Sequence, residues 1–300
     1  MEPRQYRAPT SLTEAVTLLS ASAGRALQFT GGADELARLD VGPAPTDMLL
    51  DVSRIDALHV LDFDPSQGLT IGAAVPWCRV GQHPRSAAAY PCLPLLAAMI
   101  RSLPGRARAT VGGSLCTPPA KSHAIPLLIA LGASCGLVGP EGRRTVPLEG
   151  CYAADGCSLL GRGEVLVSVH LPAPRPHSGA WFIPFYPDAG RGVVVLPVAA
   201  SLVLSQDHSR ILAARVVLGG AGPAPLILDT ISAVLVGQAP SEAVLNTAAA
   251  LARVAAWPRE APTNAAYRAH IAGRLTRQAL GIALSRARWP ATEGVSSSQR

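Results

Sequence analysis

The chain has 300 residues, of which 49% are apolar, 15% are charged and 4% are aromatic. This composition excludes an intrinsically disordered chain and is typical of a globular protein with two ordinary domains. The net charge is +6, but the basic residues are scattered arginines, with Lys121 as the single lysine. Nucleic-acid binding requires a clustered basic face with interleaved aromatics, so we expect no nucleic-acid partner.

The cysteines and the apolar stretches exclude two further classes. None of the six cysteines forms a C-x-x-C pair, whereas zinc and iron–sulfur sites use closely spaced thiolates. We therefore expect reduced, incidental thiols and no metal site in this chain. No apolar signal-peptide core follows the N-terminal residues, and the longest apolar stretches are too short to span a bilayer. These features predict a cytoplasmic protein without a membrane partner.

The first half of the chain mixes helices and strands. Residues 10–20 combine a Ser/Thr cap with apolar residues at helical spacing, which predicts an amphipathic helix. Residues 26–30 predict a short strand that leads directly into Gly31-Gly32. The remaining predicted elements are strands over 48–51, 69–72 and 164–170, and helices over 93–103 and 124–131.

Three prolines, Pro172, Pro174 and Pro176, interrupt regular structure and indicate a domain boundary. The second half predicts an antiparallel sheet with strands over 193–204 and 211–218, and helices over 226–235, 241–256 and 264–285. We therefore expect domains over 1–174 and 175–287, followed by a polar, disordered tail over 288–300.

Two glycine pairs, Gly31-Gly32 and Gly112-Gly113, are the strongest candidates for a binding site. Neither has the spacing of a dinucleotide-binding G-x-G-x-x-G or of a Walker loop. Two such loops facing each other would let backbone N–H groups approach a diphosphate, because a residue with a Cβ atom would clash there. Thr110 and Ser114 would add hydroxyl groups. A tight turn or a bulge is the alternative explanation for either pair taken alone.

Several segments follow one another in an order that is informative as a set. They are Thr30-Gly31-Gly32-Ala33-Asp34, Ile71-Gly72-Ala73, Arg106-Ala107-Arg108-Ala109-Thr110-Val111-Gly112-Gly113-Ser114-Leu115, and the stretches 126–133, 218–225 and 277–280. In this order the segments resemble the flavoprotein subunit of the molybdenum hydroxylases, the family of the xanthine and carbon monoxide dehydrogenases. The resemblance covers residues 5–285.

The resemblance implies an α+β fold in which a two-lobed FAD-binding domain precedes an α+β domain with a helix-packed antiparallel sheet. It implies that FAD is the cofactor and that two loops hold it. The implied cofactor-binding residues are Thr30, Gly31, Gly32, Ala33, Asp34, Thr110, Val111, Gly112, Gly113, Ser114 and His123. It implies no catalytic side chain and no metal ligand in this chain.

The same resemblance implies a function in electron transfer. Substrate is oxidised on a molybdopterin-binding large subunit, and electrons cross a small subunit with two [2Fe–2S] clusters. FAD accepts them singly and delivers them in pairs to NAD, oxygen or a quinone. The chain is therefore expected to be an oxidoreductase subunit in a hetero-oligomer, incomplete as an enzyme by itself.

Some positions depart from the family pattern. Ser114 replaces an Asn, His123 replaces an acid, and Pro119-Ala120 replaces a Ser/Asp-Pro pair. An acid–aromatic pair is also missing, which leaves Trp181 or Tyr186 as candidate rings beside the flavin. These departures keep open a second hypothesis, a scaffold or docking subunit without flavin. A third is a small-molecule binder without redox chemistry.

Four side chains have alternative explanations. His123 taken alone is a surface or capping residue rather than a ligand. Asp34 either hydrogen-bonds the ribityl or phosphate region of the flavin or stabilises its own turn. Arg106 and Arg108 either neutralise phosphate, pair with acids of a partner or are solvated surface charges.

Overall fold

The computed structural model describes residues 5–22, 24–31, 47–100, 105, 108–117, 122–152, 160–185, 196–256 and 265–289. Within these ranges the strands are β1 Gln5–Arg7, β2 Ala26–Phe29, β3 Met48–Asp51, β4 Leu61–Asp64, β5 Gly68–Gly72, β6 Ser134–Gly139, β7 Gly142–Pro147, β8 Val165–Pro172, β9 Ser178–Ile183, β10 Val198–Leu204, β11 Ile211–Leu218 and β12 Leu226–Ile227. The helices are α1 Leu12–Ala21, α2 Trp77–Gln82, α3 Pro84–Ala89, α4 Cys92–Ala98, α5 Val111–Cys116, α6 Ala124–Ala130, α7 Asp229–Leu235, α8 Glu242–Ala255 and α9 Ala265–Arg288. Short 3₁₀ turns occupy Val52–Arg54, Asp56–His59 and Leu148–Gly150.

A small parallel sheet forms the first lobe, in the order β1-β3-β2. Helix α1 crosses between β1 and β2. Its first turn is capped because the Ser11 hydroxyl accepts from the Glu14 amide, while the Glu14 carboxylate accepts from the Thr10 amide. Ala15 and Leu19 are the buried residues of the helix. Strand β2 ends at Phe29, so Thr30 and Gly31 leave the sheet at its carboxyl edge.

A five-stranded antiparallel sheet forms the second lobe, in the order β4-β5-β8-β6-β7. Strand β5 is almost wholly buried, whereas the edge strand β7 is mostly exposed. The first hydrophobic core lies between this sheet and the helices. It includes Trp77 of α2, Leu93 of α4 and Ile125 of α6.

The third sheet, β12-β11-β10-β9, is antiparallel and buries both of its faces. Side chains of a strand alternate between faces, and β10 shows the consequence. Val198 and Ala200 belong to a second core with helices α7, α8 and α9. Ala199 lies on the other face and joins the first core, together with Phe182 and Val217. The sheet is therefore shared between the two halves of the molecule.

Polar contacts from the third sheet also hold the carboxyl end of α6. The Ser201 hydroxyl donates to the carbonyl oxygen of Ala130 at 2.6 Å. The Arg215 guanidinium donates to the carbonyl oxygen of Ile129 at 3.1 Å and pairs with Glu149 at 2.6 Å. A cation at a helix carboxyl terminus satisfies carbonyls that lack a partner in the helix. These contacts join the two cores at one helix end.

The α+β fold class predicted from the sequence is confirmed, and most predicted elements are present near their expected bounds. The prediction of a helix from residue 226 was wrong at its start, because Leu226–Ile227 pairs with β11 and the helix begins at Asp229. Gly112-Gly113 was predicted as a loop, yet both residues lie in α5. The β6–β7 hairpin and strand β9 were not predicted.

Two observations concern the C-terminal region and the possibility of a membrane-spanning helix. Helix α9 continues to Arg288, and Trp289 after it is exposed. The rest of the expected tail, residues 290–300, lies outside the described residues. Over the part of the chain that the structure describes, no helix combines the length and the apolar character needed to cross a bilayer.

The crossing of α9 over β9 generates a prediction about stability. A Cβ atom added at Gly179 would overlap the carbonyl oxygen of Ala283 and approach the Ala287 amide nitrogen to 2.7 Å. We expect Gly179→Ala to destabilise the fold by about 1–3 kcal/mol, because the backbone of α9 must move away. Denaturant unfolding monitored by circular dichroism measures this difference.

Gly281→Ala on α9 is the matched control, since a Cβ there has no atom within 4 Å. Alanine is the better helix former by about 1 kcal/mol, so this variant should be as stable as the native chain or more stable. Equal loss of stability in both variants would contradict the close packing of α9 against β9.

Candidate functional site

The two glycine segments, 80 residues apart in the sequence, are in direct contact. The hydroxyls of Thr30 and Thr110 share a hydrogen bond of 2.5 Å, and the Arg108 side chain donates to the Gly31 carbonyl oxygen at 3.0 Å. A Cβ atom on Gly31 would overlap the carbonyl oxygen of Arg108. Only glycine therefore permits this approach of one backbone to the other.

Backbone conformation shows why these positions are glycine. The described glycines with positive φ include Gly24, Gly68 and Gly132, but not Gly31, Gly112 or Gly113. A left-handed turn is therefore not the reason for glycine at the three described positions of the two pairs. The reason is the absence of a side chain.

Gly112 anchors α5 to the connection between β5 and α2. Its amide donates to the Ala73 carbonyl oxygen at 2.8 Å, and the Val111 amide donates to the Val75 carbonyl oxygen at 3.0 Å. A Cβ atom on Gly112 would lie 2.8 Å from the same Ala73 oxygen and 2.9 Å from the Ala73 Cβ. The start of α5 is thereby pressed against the sheet of the second lobe.

Thr110 joins this helix to the first segment. Its backbone is extended, and its hydroxyl accepts from the Gly113 amide at 3.2 Å, which makes it the N-cap of α5. The same hydroxyl bonds to Thr30. Thr110 is only 4% exposed, so its side chain is a buried link between the two segments.

These bonds revise the expected role of the second glycine pair. The amides of Val111 and Gly112 donate to the backbone, the Gly113 amide donates to Thr110 Oγ1, and the Ser114 amide donates to the Thr110 carbonyl oxygen. The expectation that these amides point bare toward a ligand is therefore not met in this structure. At Gly112 and Gly113 the segment instead presents a close-packed backbone surface without side chains.

Gly113 is the less crowded glycine of the second pair. A Cβ atom there would meet only the Thr110 hydroxyl, at 3.1 Å. The residue borders a cavity of about 20 Å³ between the two segments, lined by Gln28, Phe29, Thr30, Val52, Ala73, Gly112, Gly113, Cys116, Val165 and Leu166. A volume of this size holds about one water molecule.

Gln28, which the sequence analysis did not identify, also lines this cavity. Its side-chain oxygen is buried and has no hydrogen-bond partner in the structure. An unsatisfied buried acceptor costs about 1–3 kcal/mol, so this oxygen favours a ligand or water that donates a hydrogen bond. The unsatisfied oxygen and the small cavity beside Gly113 fit one water molecule or a single donor group of a larger ligand.

Ser114 has a structural role in the second segment. Its hydroxyl accepts from the indole nitrogen of the buried Trp77 at 2.8 Å and donates to the Thr110 carbonyl oxygen at 3.1 Å. Ser114 also borders a second cavity of about 110 Å³, which His123 and Trp77 line as well. The two cavities lie on either side of α5.

His123 immediately precedes α6 and is partly buried. The capping hydroxyl is that of its neighbour Ser122, which accepts from the Ile125 amide at 3.4 Å. Burial lowers the pKa of His123 to about 4, so its ring is neutral at pH 7. A neutral imidazole both donates and accepts one hydrogen bond.

Other predicted site residues have different outcomes. Gly32, Ala33 and Asp34 lie outside the described residues, as do Arg106 and Tyr186. Trp181 is described, and the guanidinium of Arg286 lies 4.1 Å from its ring centroid. The ring of Trp181 is thus packed beneath an arginine of α9.

The neutral His123 predicts a pH dependence of stability. Between about pH 6.5 and 4 the unfolded chain binds a proton at this residue and the folded chain does not, so stability falls as pH decreases. One pKa unit corresponds to about 1.4 kcal/mol, so the loss over this interval is at most about 3.5 kcal/mol. Denaturant unfolding at a series of pH values measures it.

His123→Gln should lose less stability over this interval, because glutamine does not titrate. His270→Gln, at an exposed position of α9, should keep the native pH dependence. The same pH dependence in His123→Gln and the native chain would show that His123 is not responsible.

Comparisons with known proteins identify the family. Residues 2–174 match the family described as the FAD binding domain in molybdopterin dehydrogenase, and residues 194–283 match the CO dehydrogenase flavoprotein C-terminal domain. The carbon monoxide dehydrogenase medium chain of Hydrogenophaga pseudoflava is 28% identical over 284 residues, covering 94% of this chain and 97% of that protein. The 6-hydroxypseudooxynicotine dehydrogenase complex subunit alpha of Paenarthrobacter nicotinovorans is 27% identical over 286 residues, covering 94% and 95%.

The fold agrees as well. A solved carbon monoxide dehydrogenase from Hydrogenophaga pseudoflava, which lacks the Mo-pyranopterin moiety of the molybdenum cofactor, superposes with a TM-score of 0.87 at 28% identity. The match covers 95% of this chain and 99% of that chain. Because the first family match spans more than half of the sequence, this chain belongs to the FAD-binding medium subunits of the molybdenum hydroxylase family and is an oxidoreductase subunit.

Proposed function

We propose that this chain is the electron-exit subunit of a molybdenum hydroxylase complex. Electrons would arrive from [2Fe–2S] clusters of a small subunit and leave to an external acceptor. The observation that carries the proposal is the contact between the two glycine segments, which creates a surface free of side chains at Gly113. FAD, when bound, accepts electrons one at a time and releases them in pairs.

The residues of this chain would bind and orient the cofactor. Gly31 and Gly112 keep the two segments at backbone contact distance. Gly113 leaves room for the ligand, and the side-chain oxygen of Gln28 accepts a hydrogen bond from a hydroxyl or amino group of it. We propose that Gly32, Ala33 and Asp34 contribute the remaining contacts with the diphosphate, because the amides of α5 already have protein acceptors.

The departures from the family pattern at Ser114 and His123 are consistent with FAD binding. The Ser114 hydroxyl accepts a hydrogen bond from Trp77 and so fixes α5 to α2. A serine in place of the family's asparagine is sufficient for this contact. The neutral His123 ring places no negative charge beside the cofactor, which itself carries the charge of its diphosphate. We therefore propose that both residues are compatible with bound FAD.

The partners and the organisation of the chain extend this proposal. The relatives are named as a medium chain and as a subunit of a complex. By analogy we propose a hetero-oligomer with a molybdopterin-binding large subunit and a [2Fe–2S] small subunit, located in the cytoplasm. We also propose domains over 1–174 and 175–287, since the two hydrophobic cores and the family match ending at residue 174 support this division.

A substitution at Gly113 tests the cofactor site. We expect Gly113→Ala to fold normally, because its Cβ meets only the Thr110 hydroxyl, and to bind FAD about tenfold more weakly or worse, equivalent to about 1.4 kcal/mol. Titration of the apoprotein with FAD, followed by flavin fluorescence, measures the affinity. Gly150→Ala is the control, because a Cβ there has no neighbour within 4 Å and lies outside the site.

If a folded Gly113→Ala variant binds FAD with native affinity, the cofactor site is not at Gly113. A native chain that takes up no FAD would instead support the scaffold hypothesis.

The electron path needs the assembled complex. The chain is co-expressed with a molybdopterin-binding large subunit and a [2Fe–2S] small subunit from the same organism, and the complex is titrated anaerobically with dithionite. We expect both cluster and flavin signals to bleach, and the flavin to be reoxidised by one of NAD, oxygen or a quinone. A Gly113→Ala complex should reduce its clusters but lose this reoxidation. Unchanged reoxidation in a flavin-depleted complex would place the electron exit elsewhere.

A further inference from the structure

A cleft of about 530 Å³ opens between the two halves of the molecule. Its walls come from α3, α4, the end of β8, the following turn, β9, β10 and α9. It shares no lining residue with the two cavities beside α5. Its volume falls in the range of small-molecule sites, about 300–1,000 Å³.

One partly buried cation faces this cleft. Arg286 of α9 lines it, and the guanidinium lies 4.1 Å from the Trp181 ring centroid. Its Nε atom is buried and has no hydrogen-bond partner in the structure. A buried donor without an acceptor is unfavourable, and guanidinium stays charged at any physiological pH. Because Nε is closed off, an acceptor in the cleft would have to bond the other guanidinium nitrogens, and a carboxylate is an acceptor that guanidinium prefers.

The protein supplies no such charge from the cleft itself. The ionisable residues among those lining it are Tyr90, Cys92, Arg175, His177 and Arg286, and none of them is acidic. Burial raises the pKa of the Cys92 thiol to about 12, so it stays neutral at pH 7. The cleft is consequently cationic.

The remaining walls are largely apolar. Leu131, Pro172, Leu202 and several alanines line the cleft. Its two serine hydroxyls already donate to carbonyl oxygens, Ser178 to Arg175 and Ser201 to Ala130. An inorganic phosphate needs many donors around it, which this surface lacks. Arg286, with the exposed Arg175 as the second guanidinium of the lining, stands beside apolar walls, and this combination suits an organic anion with an apolar body.

Two features hold the cleft in shape. Helix α9 packs directly on Gly179 of β9, where an added Cβ would lie 3.0 Å from the Cβ of Arg286, so the arginine is positioned by the backbone crossing. At the rim, His177 and His208 are non-glycine residues with left-handed φ of 54° and 58°. Their rings are joined by a hydrogen bond of 2.9 Å between His177 Nδ1 and His208 Nε2. A preorganised site loses less entropy on binding.

We propose that this interdomain cleft binds a small organic carboxylate, with the carboxylate on Arg286 and the apolar body against Leu131 and Pro172. The ligand would bridge the two halves of the subunit at a position separate from the FAD site. Its binding would therefore stabilise their relative arrangement.

The probe is 2-naphthoate, and its neutral isostere 2-naphthamide is the matched ligand control. Calorimetry on the full-length, FAD-loaded chain should show saturable binding of 2-naphthoate, about tenfold or more tighter than that of the amide. Arg286→Gln should abolish this preference. Arg274→Gln, at an exposed position of the same helix, should retain it.

A second variant keeps the test decisive if Arg286→Gln fails to fold. Ala88 is an exposed lining residue, so Ala88→Trp should fill the cleft without disturbing the core and should eliminate binding of both probes. Equal affinity for acid and amide overturns the proposal. So does absence of saturable binding at millimolar probe, or unchanged 2-naphthoate binding in folded Arg286→Gln or Ala88→Trp.

Discussion

The contact between the backbones of Gly31 and Arg108 is the constraint on which the candidate site depends. It joins the parallel sheet of the first lobe to helix α5 of the second, and the Thr30–Thr110 hydrogen bond closes the same junction. Because Thr110 also caps α5, the start of that helix and the position of the first segment are set together. A side chain at Gly31 would push the two lobes apart in the region where we propose that FAD binds.

The third sheet gives the molecule its second constraint. Both of its faces are covered, one by α7–α9 and the other by the first core, so neither half completes its packing alone. The hydrogen bonds from Ser201 and Arg215 to the end of α6 fix the orientation of that helix on the third sheet. Since α6 begins directly after His123, these bonds from the third sheet also help to fix the helix beside the cavity that His123 lines.

Local sequence signals predicted the elements whose stability is local. Helix α1 carries its own cap and apolar stripe, and β10 and β11 alternate between two buried faces. The elements that were missed are short or lack an apolar pattern: β7 pairs with β6 across a two-residue turn, and helices α2 and α3 have six residues each. Strand β7 is almost wholly exposed and has no apolar period, and β12 is two residues long and exists by pairing with β11. Such pairing is a tertiary property and leaves no periodicity in the sequence.

The sequence by itself determined the family, the FAD cofactor and the α+β class, because an ordered set of short motifs is specific even when each member is weak. Only the tertiary structure decided what each glycine does. Gly31 packs against the Arg108 backbone, Gly112 packs against Ala73 and Gly113 borders a small cavity. In the sequence all three are glycines of similar pairs and cannot be distinguished. Gln28 became a candidate site residue only through its unsatisfied oxygen. The physical reason is that closeness between distant backbones is a property of packing, and no local pattern encodes it.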